Sequence, residues 1–149
     1  MANSSATDSC IFCRIISGSL PARTVYETPD VLAFLDANPL APGHTLVIPK
    51  GHHVRLTDMD QELATEVLTA LYHVTEAVET AVEADATSIG FNNGRAAGQE
   101  VPHVHGHIIP RFMQDGGGPI HAVAGARPSL DDDELNTIAE AIRNESTTS

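Results

Sequence analysis

Five short stretches of the chain carry the apolar and polar patterns of β-strands, and one of them, residues 44–48, alternates around Leu46 and Ile48. Turn-forming residues bound these stretches, as Thr28-Pro29-Asp30 does after the first of them. The predicted strands are residues 24–27, 31–36, 44–48, 87–92 and 103–109.

A period of about 3.6 residues marks three other stretches and predicts helices there. A short helix covers residues 10–16, and a last amphipathic helix begins at Ser129. The longest helix opens at Leu56-Thr57-Asp58, with Asp58 and Gln61 as a capping box, and continues to about residue 84. Strands gathered around one long helix and two shorter ones predict an α+β fold with an antiparallel sheet.

The chain has 149 residues, which suits one domain with a substantial core. We expect this domain to span residues 10–144, and the ends, residues 1–9 and 145–149, to be disordered. The N-terminus shows neither the basic nor the apolar part of a secretory signal, and no apolar run approaches the length of a membrane span. These features predict a cytoplasmic protein, in which two cysteines are ligands or inert thiols rather than a disulfide.

The formal net charge is −12, and Lys50 is the only lysine among eight basic residues. Nucleic acids and anionic membranes attract basic surfaces, so this charge argues against both as partners. An acidic, lysine-poor surface suits a halophilic type of protein, because a high-salt cytoplasm screens its self-repulsion.

Three histidines, His103, His105 and His107, follow one another at a spacing of two. On a strand this spacing puts all three rings on one face, about 7 Å apart along the chain. Buried imidazoles need hydrogen-bond partners, so such a row is a costly structural filler. Two chemistries remain open: a zinc hydrolase that uses the row as ligands, or an imidazole that acts as a covalent nucleophile.

A second motif, Cys10-Ile11-Phe12-Cys13, offers two thiolates to a tetrahedral zinc ion. His52 and His103 could complete a structural Cys₂His₂ site, and His53 could replace His52. Zinc would then occupy His103 and leave His105 and His107 for chemistry. The alternative is a pair of buried, inert cysteines.

Four further polar residues are candidates for binding. Gln99 ends a glycine-containing segment that could cradle a phosphate, although most such segments are simple loops. Asp36 and Asn92 end strands and suit either ribose hydroxyls or turns. His44 is either a fourth imidazole of the pocket or a solvated residue at the start of a strand.

With these pieces, the chain resembles the histidine-triad (HIT) family, whose motif is His-φ-His-φ-His-φ-φ with φ apolar. The resemblance covers roughly residues 10–112. The matching segments, in order, are Cys10-Ile11-Phe12-Cys13-Arg14-Ile15-Ile16, Val31-Leu32-Ala33-Phe34-Leu35-Asp36, Pro42-Gly43-His44-Thr45-Leu46-Val47-Ile48, Asn92-Asn93-Gly94 and His103-Val104-His105-Gly106-His107-Ile108-Ile109.

The resemblance implies a HIT-like fold, a five-stranded antiparallel sheet with one long helix, that pairs into a homodimer. It implies a site that binds a purine nucleotide or nucleotide conjugate and cleaves at the α-phosphorus through a nucleotidyl-histidine. The implied catalytic residues are His105 as nucleophile, His103 to orient it, and His107 and His44 at the phosphate. The implied nucleotide-binding residues are Asp36 and Asn92 at the ribose, Gln99 at the phosphate, and Ile11, Phe12, Ile15 and Phe34 around the base. The implied structural zinc ligands are Cys10, Cys13, His52 and His103, with no catalytic metal required.

The expected substrates are nucleoside phosphoramidates of the AMP-amine type. The alternatives are dinucleoside polyphosphates, or a nucleotide-binding interaction module with little turnover. Two residues depart from the family pattern: Gly106 replaces an apolar residue, and Glu100 stands where many members carry Ser or Thr near the phosphate.

Overall fold

The predicted strands assemble into one five-stranded antiparallel sheet in the order β1-β2-β3-β5-β4. The computed structural model describes residues 9–146, so the ends predicted to be disordered, 1–9 and 145–149, lie outside the described residues except for residues 9, 145 and 146. Its strands are β1 (Thr24–Glu27), β2 (Val31–Leu35), β3 (Thr45–Pro49), β4 (Ala86–Phe91) and β5 (Gly106–Arg111). Its α-helices in that range are α1 (Ile11–Ile16), α2 (Gln61–Val82) and α3 (Asp132–Ser146). The predicted α+β class is confirmed.

Several predicted boundaries were wrong. Helix α2 begins at Gln61, and its N-cap is Asp60, whose carboxylate accepts from the Leu63 N–H at 2.8 Å. Extended backbone at Met59 separates α2 from a 3₁₀ turn over Leu56–Asp58. The proposed capping box of Asp58 with Gln61 therefore does not form, and Asp58 instead accepts from the Arg55 N–H at 2.9 Å.

The histidine strand and the last helix both start later than predicted. Strand β5 begins at Gly106, so His103 and His105 lie in the extended segment before it and only His107 belongs to the strand. Helix α3 begins at Asp132, three residues after the predicted start at Ser129, and continues through Ser146, two residues into the tail that we expected to be disordered.

The sheet separates two apolar clusters, one on each face. On one face, Val31, Ala33 and Val47 pack with the apolar stripe of α2. On the other face, Leu32, Phe34 and Leu46 pack with Phe12 of α1. Because both faces are covered, β2 and β3 are buried along almost their whole length, which explains their nearly continuous apolar sequences.

The strand register places His107 on the α1 face. His107 lies opposite Leu46 of β3 and opposite Gly90 of β4. The histidines therefore lie on the face that α1 partly covers, with the long helix on the other side of the sheet.

The chain forms two compact units, the first ending at Gly117 and the second beginning at Gly118. The second contains α3, whose apolar residues Leu135, Ile138 and Ile142 are exposed. One domain over residues 10–144 stays a prediction. Within residues 9–146, no helix is long and apolar enough to cross a membrane.

Candidate functional site

The cysteine pair and two histidines meet where α1 begins. The Sγ atom of Cys13 lies 3.2 Å from His52 Nδ1 and 3.5 Å from His103 Nδ1, and Cys10 Sγ lies 3.5 Å from His103 Nδ1. All four candidate ligand atoms lie within 4.8 Å of one another. A tetrahedral zinc ion with ordinary bond lengths holds sulfur and nitrogen ligands about 3.6 Å apart, so these four residues fit such an ion.

A hydrogen bond at the ring nitrogen of His103 that faces away from the thiols gives this residue the tautomer that a metal ligand needs. The ring is fully buried, and its Nε2–H donates to the Pro49 carbonyl at 2.9 Å. This bond puts the lone pair on Nδ1, the nitrogen that faces the thiols. Burial lowers the pKa of His103 to about 4, which keeps the ring neutral as a metal ligand must be.

Of the two adjacent histidines, the structure places His52 beside the thiols. Its ring also contacts that of His103, with centroids 5.1 Å apart. His53 is not in this cluster; its backbone carbonyl accepts from the Val104 N–H at 2.7 Å. Burial and the neighbouring Cys10 raise the pKa of Cys13 to about 12, so a cation is needed to hold it as a thiolate near neutral pH.

His105 is held in one tautomer by the backbone. Its Nδ1–H donates to the carbonyl of His103 at 2.8 Å, which leaves the lone pair on Nε2. The Phe12 ring packs edge-on against it, with centroids 5.1 Å apart. Burial lowers the pKa of His105, and the His103 carbonyl, Asp36 and Glu100 oppose this shift. The ring is therefore neutral near pH 7 and can act as a nucleophile.

His44 and His107 form a hydrogen-bonded pair next to His105. The Leu40 N–H donates to His44 Nδ1 at 3.1 Å, so the His44 proton lies on Nε2. This Nε2–H donates to His107 Nδ1 at 3.0 Å, which in turn puts the His107 proton on Nε2. His107 Nε2 is buried and has no hydrogen-bond partner among the described residues. A buried donor without an acceptor points to a ligand atom that would complete it.

A second cluster, Asp36, His44 and His107, also brings three possible metal ligands within 4.8 Å. The hydrogen bonds of this cluster are not those that a metal site would have. To bind one through Nε2, His44 would need its proton on Nδ1, where the Leu40 N–H already points. The cluster instead delivers a hydrogen-bond donor, which disfavours the triad as the metal site of a zinc hydrolase.

The predicted ribose residues flank the histidines. Asp36 follows β2 and is half-buried, with Oδ1 accepting from the Asn38 N–H at 2.9 Å and Oδ2 lying 3.7 Å from His44 Nε2. Asn92 is exposed directly after β4. Phe91, the residue before Asn92, pairs with Gly106, the residue after His105, so the two chain segments enter the sheet side by side.

The predicted base wall comes together around α1. Phe12 and Phe34 are buried with ring centroids 5.6 Å apart, and Ile15 packs against their cluster. Ile11 is 45% exposed and is not among the described residues that pack in this cluster, so its place in the wall stays a prediction. The wall offers apolar surface next to His105, as a nucleobase requires.

Gln99 has a different contact set from the one we expected. Its amide donates to the Val54 carbonyl at 2.7 Å and to the Val101 carbonyl at 2.9 Å, and its Oε1 accepts from the Gly94 N–H at 2.8 Å. Both amide hydrogens are used, so in this structure Gln99 positions the loop and has no free donor for a phosphate. The loop N–H groups of Ala97 and Gly98 also bond within the loop.

Packing explains why Gly106 stands where the family pattern has an apolar residue. A β-carbon there would lie 2.9 Å from the Phe91 ring and 3.1 Å from Leu71. Phe91 thus fills the space on the α2 face that an apolar side chain at position 106 would take.

Sequence reasoning missed the groups that set the tautomers of the histidines. They are the Pro49 carbonyl, the His103 carbonyl and the Leu40 N–H. All three are backbone groups, so no side-chain pattern could have identified them.

A family model for the HIT domain matches residues 17–114. An uncharacterized HIT-like protein of Methanocaldococcus jannaschii is 50% identical over 72% of this chain and 82% of its own length. An adenosine 5'-monophosphoramidase of Saccharomyces cerevisiae is 39% identical over 72% of this chain and 66% of its own length. An adenylylsulfatase of Arabidopsis thaliana is 37% identical over 76% of this chain and 57% of its own length.

Solved structures agree with the fold. A hypothetical protein from Leishmania major superposes with a TM-score of 0.84 at 38% identity, covering 96% of this chain and 99% of that one. A zinc-bound histidine triad family protein from Mycobacterium smegmatis superposes with a TM-score of 0.70 at 33% identity, covering 96% of this chain and 99% of that one.

Proposed function

Because the chain belongs to the HIT family, we propose that it cleaves nucleoside phosphoramidates of the AMP-amine type at the α-phosphorus through a nucleotidyl intermediate on His105. One observation carries this proposal. The lone pair of His105 Nε2 lies in a ring whose centroid is 4.8 Å from that of His107, and His107 holds a buried N–H that has no partner among residues 9–146. A nucleophile beside an unused donor suits attack on a phosphorus whose oxygens take the donor.

The reaction proceeds in two displacements. His105 Nε2 forms a bond to phosphorus, the P–N bond of the substrate breaks, and the amine leaves with the electron pair and takes a proton from solvent. Water then attacks phosphorus, the bond to His105 breaks, and AMP is released while the surplus proton goes to solvent. His107 donates to a phosphate oxygen in both steps, and His44 keeps its proton on Nε2.

The nucleotide lies with its base on the wall of Ile11, Phe12, Ile15 and Phe34. Its ribose lies near Asp36 and Asn92, and its phosphate beside His105 and His107. The yeast monophosphoramidase and the plant adenylylsulfatase are relatives whose names describe cleavage of an adenylyl bond, and they support this substrate class.

Zinc is proposed as a structural ion held by Cys10, Cys13, His52 and His103. It would cross-link the start of α1 to the residue whose carbonyl orients His105. The chemistry at phosphorus is assigned to the histidines, with no catalytic metal required. A cytoplasmic location remains part of the proposal.

The test is AMP release from adenosine 5'-phosphoramidate. We expect His105→Ala to lower kcat/KM by at least about a thousandfold, because the nucleophile is lost. The matched control is His73→Ala, which removes an exposed imidazole on α2. Activity that survives in His105→Ala would overturn the nucleophile, and AMP binding without turnover of any adenylyl substrate would favour an interaction module.

A further inference from the structure

Gly106 lies between the two histidines that the proposed chemistry uses, and the sheet holds its backbone on both sides. It pairs with Val47 of β3 and with Phe91 of β4. The rings of His105 and His107 lie on the α1 face, so a side chain at position 106 would point to the opposite face, toward α2. A displacement of Gly106 toward or away from α2 therefore moves both histidines relative to the rest of the site.

Two side chains on the α2 face fill the space beneath Gly106. A β-carbon at this position would lie 2.9 Å from Cζ and 3.1 Å from Cε1 of Phe91, and 3.1 Å from Cδ1 of Leu71. Carbon atoms in ordinary contact are about 3.5–4.0 Å apart, so a methyl group there would push a neighbour or the strand aside. Gly106 lies in extended strand backbone, which any residue can adopt. Packing is therefore the reason that position 106 is a glycine.

Phe91 is the side chain that sets how closely β5 approaches the helix. Leu71 is buried among the core residues of α2 and has little room to move. The Phe91 ring packs against the same core and lies under its strand partner Gly106. A smaller side chain at position 91 would leave a void beneath the strand, and a side chain at position 106 would lift the strand away from α2.

We propose that Phe91 is a positioning residue for the reaction: its ring supports Gly106 and so places His105 and His107 relative to the phosphorus of the bound nucleotide. This inference rests on the proposed function and adds to it a residue on the other face of the sheet. Attack on phosphorus needs an aligned approach of about 3–3.5 Å, so a small displacement of the nucleophile slows the reaction. The base wall packs on the α1 face, so nucleotide binding depends less on this contact than kcat does.

The experiment is a double-mutant cycle at positions 91 and 106 in the full chain. Gly106→Ala adds a methyl group that meets the Phe91 ring, and Phe91→Leu removes the ring atoms that it meets. In the double variant, the added methyl group takes part of the space that the smaller side chain opens. For each protein we measure kcat and KM with adenosine 5'-phosphoramidate, the Kd for AMP, and the Tm.

We expect Gly106→Ala to lower kcat by about thirty-fold and Phe91→Leu by about ten-fold, while KM and the Kd for AMP change by less than about three-fold. The double variant recovers a kcat within about two-fold of wild type, because the strand regains its support. The matched control is Val67→Ala, which removes buried methyl groups from the same core one helical turn before Leu71. It lowers the Tm and leaves kcat within about two-fold of wild type, since it opens its void elsewhere in the core.

Equal kcat in Gly106→Ala and in wild type overturns this inference. A double variant no faster than Phe91→Leu also overturns it, and this comparison decides the question even where Gly106→Ala fails to fold. The assignment to Phe91 is equally wrong where the losses appear in AMP binding instead of kcat, or where Val67→Ala loses as much kcat as Phe91→Leu. Absence of turnover in the wild type overturns the proposed function itself.

Discussion

At the scale of single residues, the three histidines differ in the hydrogen-bond partners that fix their protons: a backbone carbonyl for His103 and for His105, and the side chain of His44 for His107. His103 carries its proton on Nε2 because of the Pro49 carbonyl, and His105 carries it on Nδ1 because of the His103 carbonyl. His107 carries it on Nε2 because His44 donates to its other nitrogen. One lone pair therefore faces the thiols, one is free for phosphorus, and one N–H is left for a phosphate oxygen.

These environments predict the pH dependence of turnover. Burial lowers the pKa of His105, and His107 has a pKa of about 4 for the same reason, so both rings stay neutral below the ordinary histidine pKa of about 6.5. We expect kcat/KM for the phosphoramidate to remain flat as the pH falls from 8 to about 6.5 and to decline only below that. The measurement is a pH profile of kcat/KM, and an acid limb centred at or above 6.5 would contradict this account.

The lowered pKa values of these histidines also determine how the stability of the fold changes with pH. The rings bind protons less readily in the folded protein than in the unfolded chain. Their contribution to the free energy of unfolding is therefore complete above about pH 6.5 and is lost as the pH falls toward about 4.

The sequence predicted which histidines and cysteines the fold brings together but not their protonation. Residue spacing alone identified the triad, and the Cys10-x₂-Cys13 pair with His52 and His103 followed from the donor types that zinc prefers. The tautomers depend on carbonyl and N–H groups that fold against the rings. Gln99 shows the same limit, because its amide looked available for a phosphate until its two carbonyl partners were known.

At the scale of elements, α1 depends on its surroundings for stability. It has six residues, too few for a stable isolated helix. Phe12 anchors one side to the sheet, and the proposed zinc site ties its start to His52 and His103. The element that contributes to the proposed base wall is therefore also the element that the metal would fix.

This link predicts different effects for the two adjacent histidines. We expect His52→Ala to lower the zinc content and the Tm by on the order of 10 °C, because a ligand of the structural ion is lost. His53→Ala is the matched control and keeps both, since His53 is outside the cluster. Metal analysis with thermal unfolding checks the pair. Equal zinc content and Tm in His52→Ala and wild type would exclude the site.

Element boundaries followed the sequence less closely than element types. All five strands and the long helix were predicted from periodicity, yet the helix start was placed five residues early, at Leu56 instead of Gln61. The 3₁₀ turn before α2 has similar polar and apolar spacing, so only the extended Met59 separates the two. Similarly, the triad spacing predicted a strand from residue 103, but pairing begins at Gly106.

At the scale of the whole molecule, one face of the first unit exposes large apolar side chains beside an edge of the sheet. Leu68 and Tyr72 on α2 and Ile89 on β4 are about half exposed or more, and they line a groove of about 520 Å³. Strand β4 is at the edge of the sheet, so it can pair with another strand. Exposed apolar surface beside an open edge is typical of a protein interface, and we propose a homodimer through this face.

A homodimer through this face predicts that one charge introduced into the groove lowers the mass of the protein in solution from dimer toward monomer. We expect Leu68→Asp to shift the protein toward a monomer, because a carboxylate would be buried in the interface. The matched control is Thr69→Asp, which adds the same charge at the next residue, outside the groove. Sedimentation velocity measures both. A wild-type monomer at micromolar concentration, or a dimer that survives Leu68→Asp, would contradict the proposed face.

In the proposed mechanism the nucleotidyl group is transferred to His105 before water attacks its phosphorus. The most direct measurement is the stereochemical course at an α-phosphorus made chiral by isotopic or sulfur substitution, with hydrolysis in labelled water. Two successive in-line displacements each invert phosphorus, so this account predicts net retention of configuration. Net inversion would show that water attacks the substrate directly and would contradict a nucleotidyl-histidine.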